Sequence, residues 1–483
     1  MAFSSSTVKA SLSSHSLIGV TTGILLYIIC LTGTILVAAH YFERWQQPAV
    51  AEYSNYSYAT VNTAIDAFYT QTQSTPESLY VVLPTESLPR IHVAGGQHEF
   101  FVKEDGTLDE AVKEGWISTV RDMHYYLLLP HTVGGIIVGL LGALMLGLCV
   151  SGIVAHPRIF VDAFRLRWNA HQRLAQADLH NRLSVWALPF HVMISVTGAF
   201  FGLVSILVLV ATSTLYDGTP AELTAEIYGA DPTINAPVQE ANINKALTYI
   251  RQKYPQATPL YIVIQQPKTP QQFIEIAATM QGRLSYSEIF RFNTQGDYLN
   301  TQGLTNGPLP RQILYSTYRL HFGQYGGNWV LIGYVLLGLA STLVTATGIN
   351  IWLARRKKHD IINPLWVAAV WGLPLSLALS ALGSLFMLPV LACFFMSWAW
   401  VTGLCIWQQH QAYVPTLLRT ACAAVLIFIP FVFFVLHPDA LQSVFYNVFN
   451  AAIAGVGLLI AVPLIYRRFT NAKHDNPSSV AEH

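Results

Sequence analysis

The sequence predicts an all-α polytopic membrane protein of about eight transmembrane helices, carrying two small α+β domains outside the bilayer. Three observations predict this. The 483 residues are 53% hydrophobic and only 11% charged, far from a soluble composition. Eight apolar stretches are long enough to cross a bilayer, near 16–40, 132–155, 183–212, 328–354, 364–386, 388–408, 414–436 and 443–466. Two long polar segments interrupt them and share one plan.

The first stretch is too long for a removed signal peptide and lacks a small-residue cleavage site, so it is expected to stay as a signal anchor. Orientation follows from charge. Segment 41–123 has five Lys/Arg against twelve Asp/Glu, whereas the connections on the other side are basic. These carry Arg158, Arg165, Arg167 and Arg173, then Arg355, Arg356, Lys357 and Lys358, then Arg467, Arg468 and Lys473. The positive-inside rule puts both termini in the cytoplasm and 41–123 and 213–320 outside, as eight spans require. All five cysteines fall within expected spans, and no CxxC motif occurs.

The polar segments repeat each other. The first runs NTAIDAFY, SLYVVLP and EFFVKEDGTL, and the second NKALTYI, PLYIVIQQP and EIFRFNTQGDYL. Each reads as a short amphipathic helix followed by alternating strands and a Gly turn. Leu79-Tyr80 and Leu260-Tyr261 mark the same strand in both copies. The expected units are a first span at 1–44, an outer domain at 45–123, a second span at 124–156 and a connection at 157–179. Then follow a third span at 180–212, a second outer domain at 213–320, a fourth span at 321–358, a four-helix region at 361–466 and a tail at 467–483.

Four histidines, His15, His124, His180 and His321, stand where the first four spans begin. His15 precedes Gly33 of Thr32-Gly33 by 18 residues, and His180 precedes Gly198 of Thr197-Gly198 by the same interval. Eighteen residues are five helical turns and roughly 27 Å of axis, so histidine and glycine share a stripe. Parity pairs His15 with His180 at the inner face and His124 with His321 at the outer face. A six-coordinate b-type haem needs two facing neutral imidazoles, and helices of a bundle can supply them. Two haems are therefore expected, with Ser16, Asn181 and nearby carbonyls as possible acceptors for the spare ring nitrogens. His131, seven residues after His124, and His191, eleven after His180, remain open as alternates. His40 lies on the stripe of His15 but at the outer surface. The other histidines, including His92, His98, His359 and His410, read as surface residues. Gly23, Gly33, Gly198 and Gly348 read as close helix contacts or as room for a porphyrin face.

In plan and motifs the chain resembles the PepSY-associated transmembrane family, iron-regulated membrane proteins that include bacterial siderophore reductases. The matching stretches are SSHSLIG, MHYYLLL, DLHNRLS and LHFGQYGGNW at the four histidines, with the endings SGIVAHPR and TGINIWLARR. The resemblance covers about 1–358, and the last four spans are a variable addition. It implies that the outer domains are PepSY-like and that the chain sits in a bacterial inner membrane. It implies an oxidoreductase with haem b that reduces a periplasmic ferric siderophore for iron uptake. Arg121 and Arg319, near the outer histidines, are possible propionate partners. No GxGxxG follows a strand, so electrons must come from a cytoplasmic reductase or from membrane quinol. No nucleic-acid partner is implied. Two rival classes are a non-redox regulator that binds a partner through the outer domains, and a transporter. The latter lacks interior carboxylates or amines to coordinate an ion.

Overall fold

The computed structural model describes residues 4–164, 172–356 and 358–474; Arg165, Arg167, His171, Lys357 and His483 lie outside the described residues. Eight helices are long and apolar enough to cross a membrane: Ser5–Leu36, His131–Ala155, Leu188–Leu215, Gly327–Arg355, Ile362–Leu385, Val390–Trp407, Val414–Leu436 and Val444–Leu464. They are the expected eight. The first begins earlier than its apolar core, because Ser4 caps it by accepting from Thr7 N and the polar turn SSTVKASLSS is helical. His15 therefore lies inside this helix rather than at its start. The other three histidines precede their spans. His124 is on the short helix Trp116–Tyr126, His180 on Gln172–Trp186 and His321 on Leu309–Phe322.

The polar segments form two copies of one unit, a helix followed by four antiparallel strands. The first has helix Tyr58–Thr72 and strands β1 (Ser78–Val82), β2 (Ile91–Gly95), β3 (His98–Val102) and β4 (Leu108–Ala111). The second has helix Ile243–Lys253 and strands β5 (Thr258–Gln265), β6 (Phe273–Thr279), β7 (Glu288–Asn293) and β8 (Tyr298–Thr301). The expectation of two separate domains needs correction. β1 pairs with β5, and all eight strands make one sheet in the order β4-β3-β2-β1-β5-β6-β7-β8. Val81 lies opposite Ile262, each the residue after a Leu-Tyr pair, so a pseudo-twofold axis passes through that contact. The reason is physical. Each meander alone would leave a long edge strand unpaired, and each edge satisfies the other.

One face of the sheet packs on both helices. Leu79, Val81, Ile262, Ile264, Ile276 and Phe290 bury against Val61, Phe68, Leu247 and Ile250 in a common core. On the opposite face His92 Nε2 lies 3.2 Å from a carboxylate oxygen of Glu99. Burial pushes the His92 imidazole down to about 4; Glu43 opposes this more weakly, and His40 adds to it slightly. Between pH 4 and 6.5 the unfolded chain binds a proton that the folded one refuses, so stability is complete above pH 6.5 and falls on acidification. A melting curve followed from pH 7 to 4.5 is expected to drop more steeply for the native protein than for His92→Gln. Equal slopes would remove His92 from this account.

The first four spans form one bundle, with the first span between the second and fourth, and the second against the third. The last four spans are fixed to the first repeat. Trp45 donates from Nε1 to Asn450 Oδ1 at 3.2 Å, and Trp116 to the Leu377 carbonyl at 3.0 Å. The fifth span contains a π-helical turn, Ala368–Gly372, and the Tyr27 hydroxyl of the first span donates to the Val370 carbonyl within it. Arg90, fully buried, donates to Glu52 and to Tyr446 of the eighth span, while Arg44 holds Glu52 through two bonds.

Candidate histidine sites in the bundle

The four histidines meet in two pairs. His15 and His180 have ring centroids 6.3 Å apart, and His124 and His321 6.4 Å apart. The second pair lies at the sheet end of the bundle and the first at the distal end. The distal pair joins the first span to the helix before the third. The sheet-end pair joins the two short helices that precede the second and fourth spans. These are the pairings expected from parity.

Each ring is held in the same way. His15 Nδ1 lies 3.1 Å from the Leu148 carbonyl and 3.1 Å from Ser151 Oγ. His180 Nδ1 lies 3.0 Å from the Val344 carbonyl and 3.2 Å from Thr347 Oγ1. His124 Nδ1 is 3.0 Å from the Ile29 carbonyl, with Thr32 Oγ1 at 3.4 Å. His321 Nδ1 is 2.8 Å from Thr197 Oγ1, whose own hydrogen goes to the Met193 carbonyl. A carbonyl oxygen only accepts, and so does a hydroxyl whose hydrogen is committed elsewhere. Every Nδ1 therefore carries the hydrogen, and every Nε2 keeps its lone pair. That tautomer, fixed by a backbone or hydroxyl acceptor, is the one in which metal-binding histidines are held.

A glycine follows each hydroxyl residue, and each histidine lies over one. A Cβ on Gly33 would meet His124 Cε1 at 2.6 Å, and one on Gly152 would meet His15 Cε1 at 3.2 Å. For Gly198 against His321 the distance is 3.2 Å, and for Gly348 against His180 it is 3.3 Å. The glycines thus seat the rings. The 18-residue interval now has a different meaning. His15 and Gly33 share the first span but serve opposite pairs, and so do His180 and Gly198. The interval measures the separation of the two sites. Ser16 and Asn181 are not the acceptors; the Ser/Thr-Gly steps and, for three of the rings, the carbonyl four residues before the glycine take that role. The signal was present, because each of the four spans contains a Ser-Gly or Thr-Gly step.

The separation of the rings sets what can lie between them. A ring nitrogen is roughly 1.1 Å from its centroid and binds a metal at about 2.0 Å, so two imidazoles on opposite sides of one ion have centroids about 6.2 Å apart. Both pairs fit. Among the described residues no three His, Cys, Asp or Glu side chains gather as a metal site, so each pair offers two protein ligands only. A cavity of about 310 Å³ opens at the sheet-end pair, lined by His124, His321, Gly33, Gly198, Phe201 and Tyr125. It lies in the range of small-molecule and cofactor sites.

The alternates stand apart from the pairs. His131 is exposed and stacks on Tyr126 with centroids 4.3 Å apart. His191 is buried in the third span and pairs with neither ring set. His40 bonds Glu43 and faces Gln324. Arg121 is ion-paired with Glu43 at 2.5 Å, and Arg319 donates to the Arg283 carbonyl at 2.9 Å. His359 and His410, read as separate surface residues, lie with rings 5.8 Å apart.

Residues 12–355, the stretch that contains both pairs and the sheet, match the PepSY-associated TM region family. The chain belongs to this family. The match ends with the fourth span, so the last four spans lie beyond it. An uncharacterised protein of Pseudomonas aeruginosa is 26% identical over 235 residues, 46% of this chain and 60% of that protein. The chain thus spans less than two thirds of that relative. As a member of the PepSY-associated TM region family it is a multi-pass membrane protein.

Proposed function

We propose that this protein holds two b-type haems, one between His15 and His180 and one between His124 and His321, and carries electrons across the membrane to a ferric siderophore. The observation that carries the reading is the fourfold repeat of one arrangement: an imidazole over a glycine, Nδ1–H tied to an acceptor, Nε2 free to bind, and a partner ring at 6.3 or 6.4 Å. Haem iron would supply one-electron chemistry at both sites. The chain's part is to orient four neutral imidazoles and to keep water from them. The apolar stretches around each pair do the latter.

The basic connections support an inner-membrane location with the termini and the distal pair at the cytoplasmic face. There the distal pair would meet a cytoplasmic reductase or membrane quinol. The sheet-end pair would face the periplasm, where Tyr125 and Tyr318 line the cavity beside it. Reduction of Fe(III) to Fe(II) loosens a hard-oxygen cage and frees the metal for uptake.

The purified protein is expected to show a split b-type spectrum, two haems per chain and two midpoints in a redox titration. Vesicles loaded with reductant should release Fe(II) from an external ferric hydroxamate complex, trapped by a ferrous chelator. Folded protein free of haem, or with a single haem, would overturn the proposal.

A further inference from the structure

The repeat is broken at one buried position. In the second copy the inward stripe reads His180, on the helix before the third span, then His191 and Gly198 within it. On the first span the same spacings give His15, Leu26 and Gly33. His191 and Leu26, each eleven residues beyond a paired histidine, are therefore equivalent. Leu26 is 4% exposed and lines the cavity at the sheet-end pair. The scaffold thus accepts an apolar residue here, and the histidine is an addition to the second copy.

His191 is only 3% exposed, and its Nε2 is buried without a hydrogen-bond partner. Its place is between the two sites. His180 lies eleven residues before it and within electrostatic reach, and Gly198, the seat of His321, lies seven residues after it. An unpaired imidazole nitrogen inside a membrane bundle is costly. Ionisable residues kept at such positions mark function by default. His191 is not one of a facing pair, so it does not complete a two-imidazole site.

Resting on the haem reading above, we propose that His191 is a positioning residue that tunes redox potential: its Nε2–H is an interior donor directed to one of the two haems. Isolated imidazole side chains favour the tautomer with hydrogen on Nε2, and no protein acceptor competes for it. Reduction adds one electron to the haem, and a fixed N–H dipole in a dry interior stabilises that added charge. His191 thereby raises the potential of one centre relative to the other, making the two chemically similar sites unequal. The second copy has this donor; the first, with Leu26, does not.

The test is His191→Leu, which restores the residue of the first copy, titrated beside the native protein. Haem content is expected to stay at two with the same split spectrum. One midpoint should fall by about tenfold in the reduction equilibrium, about 59 mV for one electron. His191→Gln, which keeps an N–H donor, should return most of that shift. His191→Met gives the same reading as leucine should leucine pack badly. Unchanged midpoints in the leucine and methionine variants would overturn the proposal. Loss of one haem would also overturn it, by making His191 a ligand. Native protein without haem would instead defeat the reading beneath it, so the two failures are distinct.

Discussion

Gly33→Ala is expected to leave a folded protein that holds only one of the two haems proposed above. The added Cβ would lie 2.6 Å from His124 Cε1, closer than side-chain carbons approach, so the ring must move. It cannot move freely. Its Nδ1–H is bonded to the Ile29 carbonyl on the same helix as the glycine, and breaking that bond in a buried site costs about 1–3 kcal/mol. The sheet-end pair then opens while the distal pair, some 27 Å of helix away, is untouched. The other seats grade the effect. A Cβ at Gly348 meets His180 at 3.3 Å, a contact that small shifts can relieve, so Gly348→Ala should retain both haems. Haem counted per chain, with the midpoint of the survivor, checks this. Two haems in Gly33→Ala would show that the glycine does not seat the ring.

Gly202→Leu removes the folded protein altogether. A Cβ at Gly202 would lie 2.4 Å from both Cα and N of Gly139 and 2.6 Å from the Gly135 carbonyl. These are backbone atoms of the second span, and no rotamer change relieves the clash. The second and third spans meet through glycine as close-packed membrane helices do, and must part if either gains a side chain. Separation would also shift Gly198 and with it the seat of His321. The expected result is loss of the monodisperse peak in detergent and of all haem absorbance. Gly147→Leu, on the same second span but with nothing within 4 Å of its Cβ, is the control and should behave as native. A well-behaved Gly202→Leu protein would refute the contact.

What could be read in advance follows from the range of each signal. The spans were legible because twenty apolar residues in a row need no partner to declare themselves. Order and parity suggested the partners of the histidines, the outer pair leaning also on the family resemblance, with His131 left open there. The seats were not legible, since Gly33 serves His124 across the bundle while standing 18 residues from His15 in the chain. Nor was the fusion of the sheet. β1 and β5 are about 180 residues apart, and each alone reads as an ordinary strand. The docking of the last four spans rests on isolated contacts such as Trp45 with Asn450 and Arg90 with Tyr446, which leave no periodic trace. The short helices that carry His124, His180 and His321 were hidden by running almost directly into the apolar stretches.

The pairing of β1 with β5 bears on how this molecule can move. Carriers built from repeats open alternately to either side by rocking one repeat against the other. Here five registered residue pairs, Ser78 with Gln265 through Val82 with Tyr261, tie the repeats together at one end. Rocking would shear that ladder and tear a shared core containing Val81, Ile262 and Phe68. The clasp holds the two repeats together at the sheet end and so opposes there the rocking on which an alternating-access carrier depends.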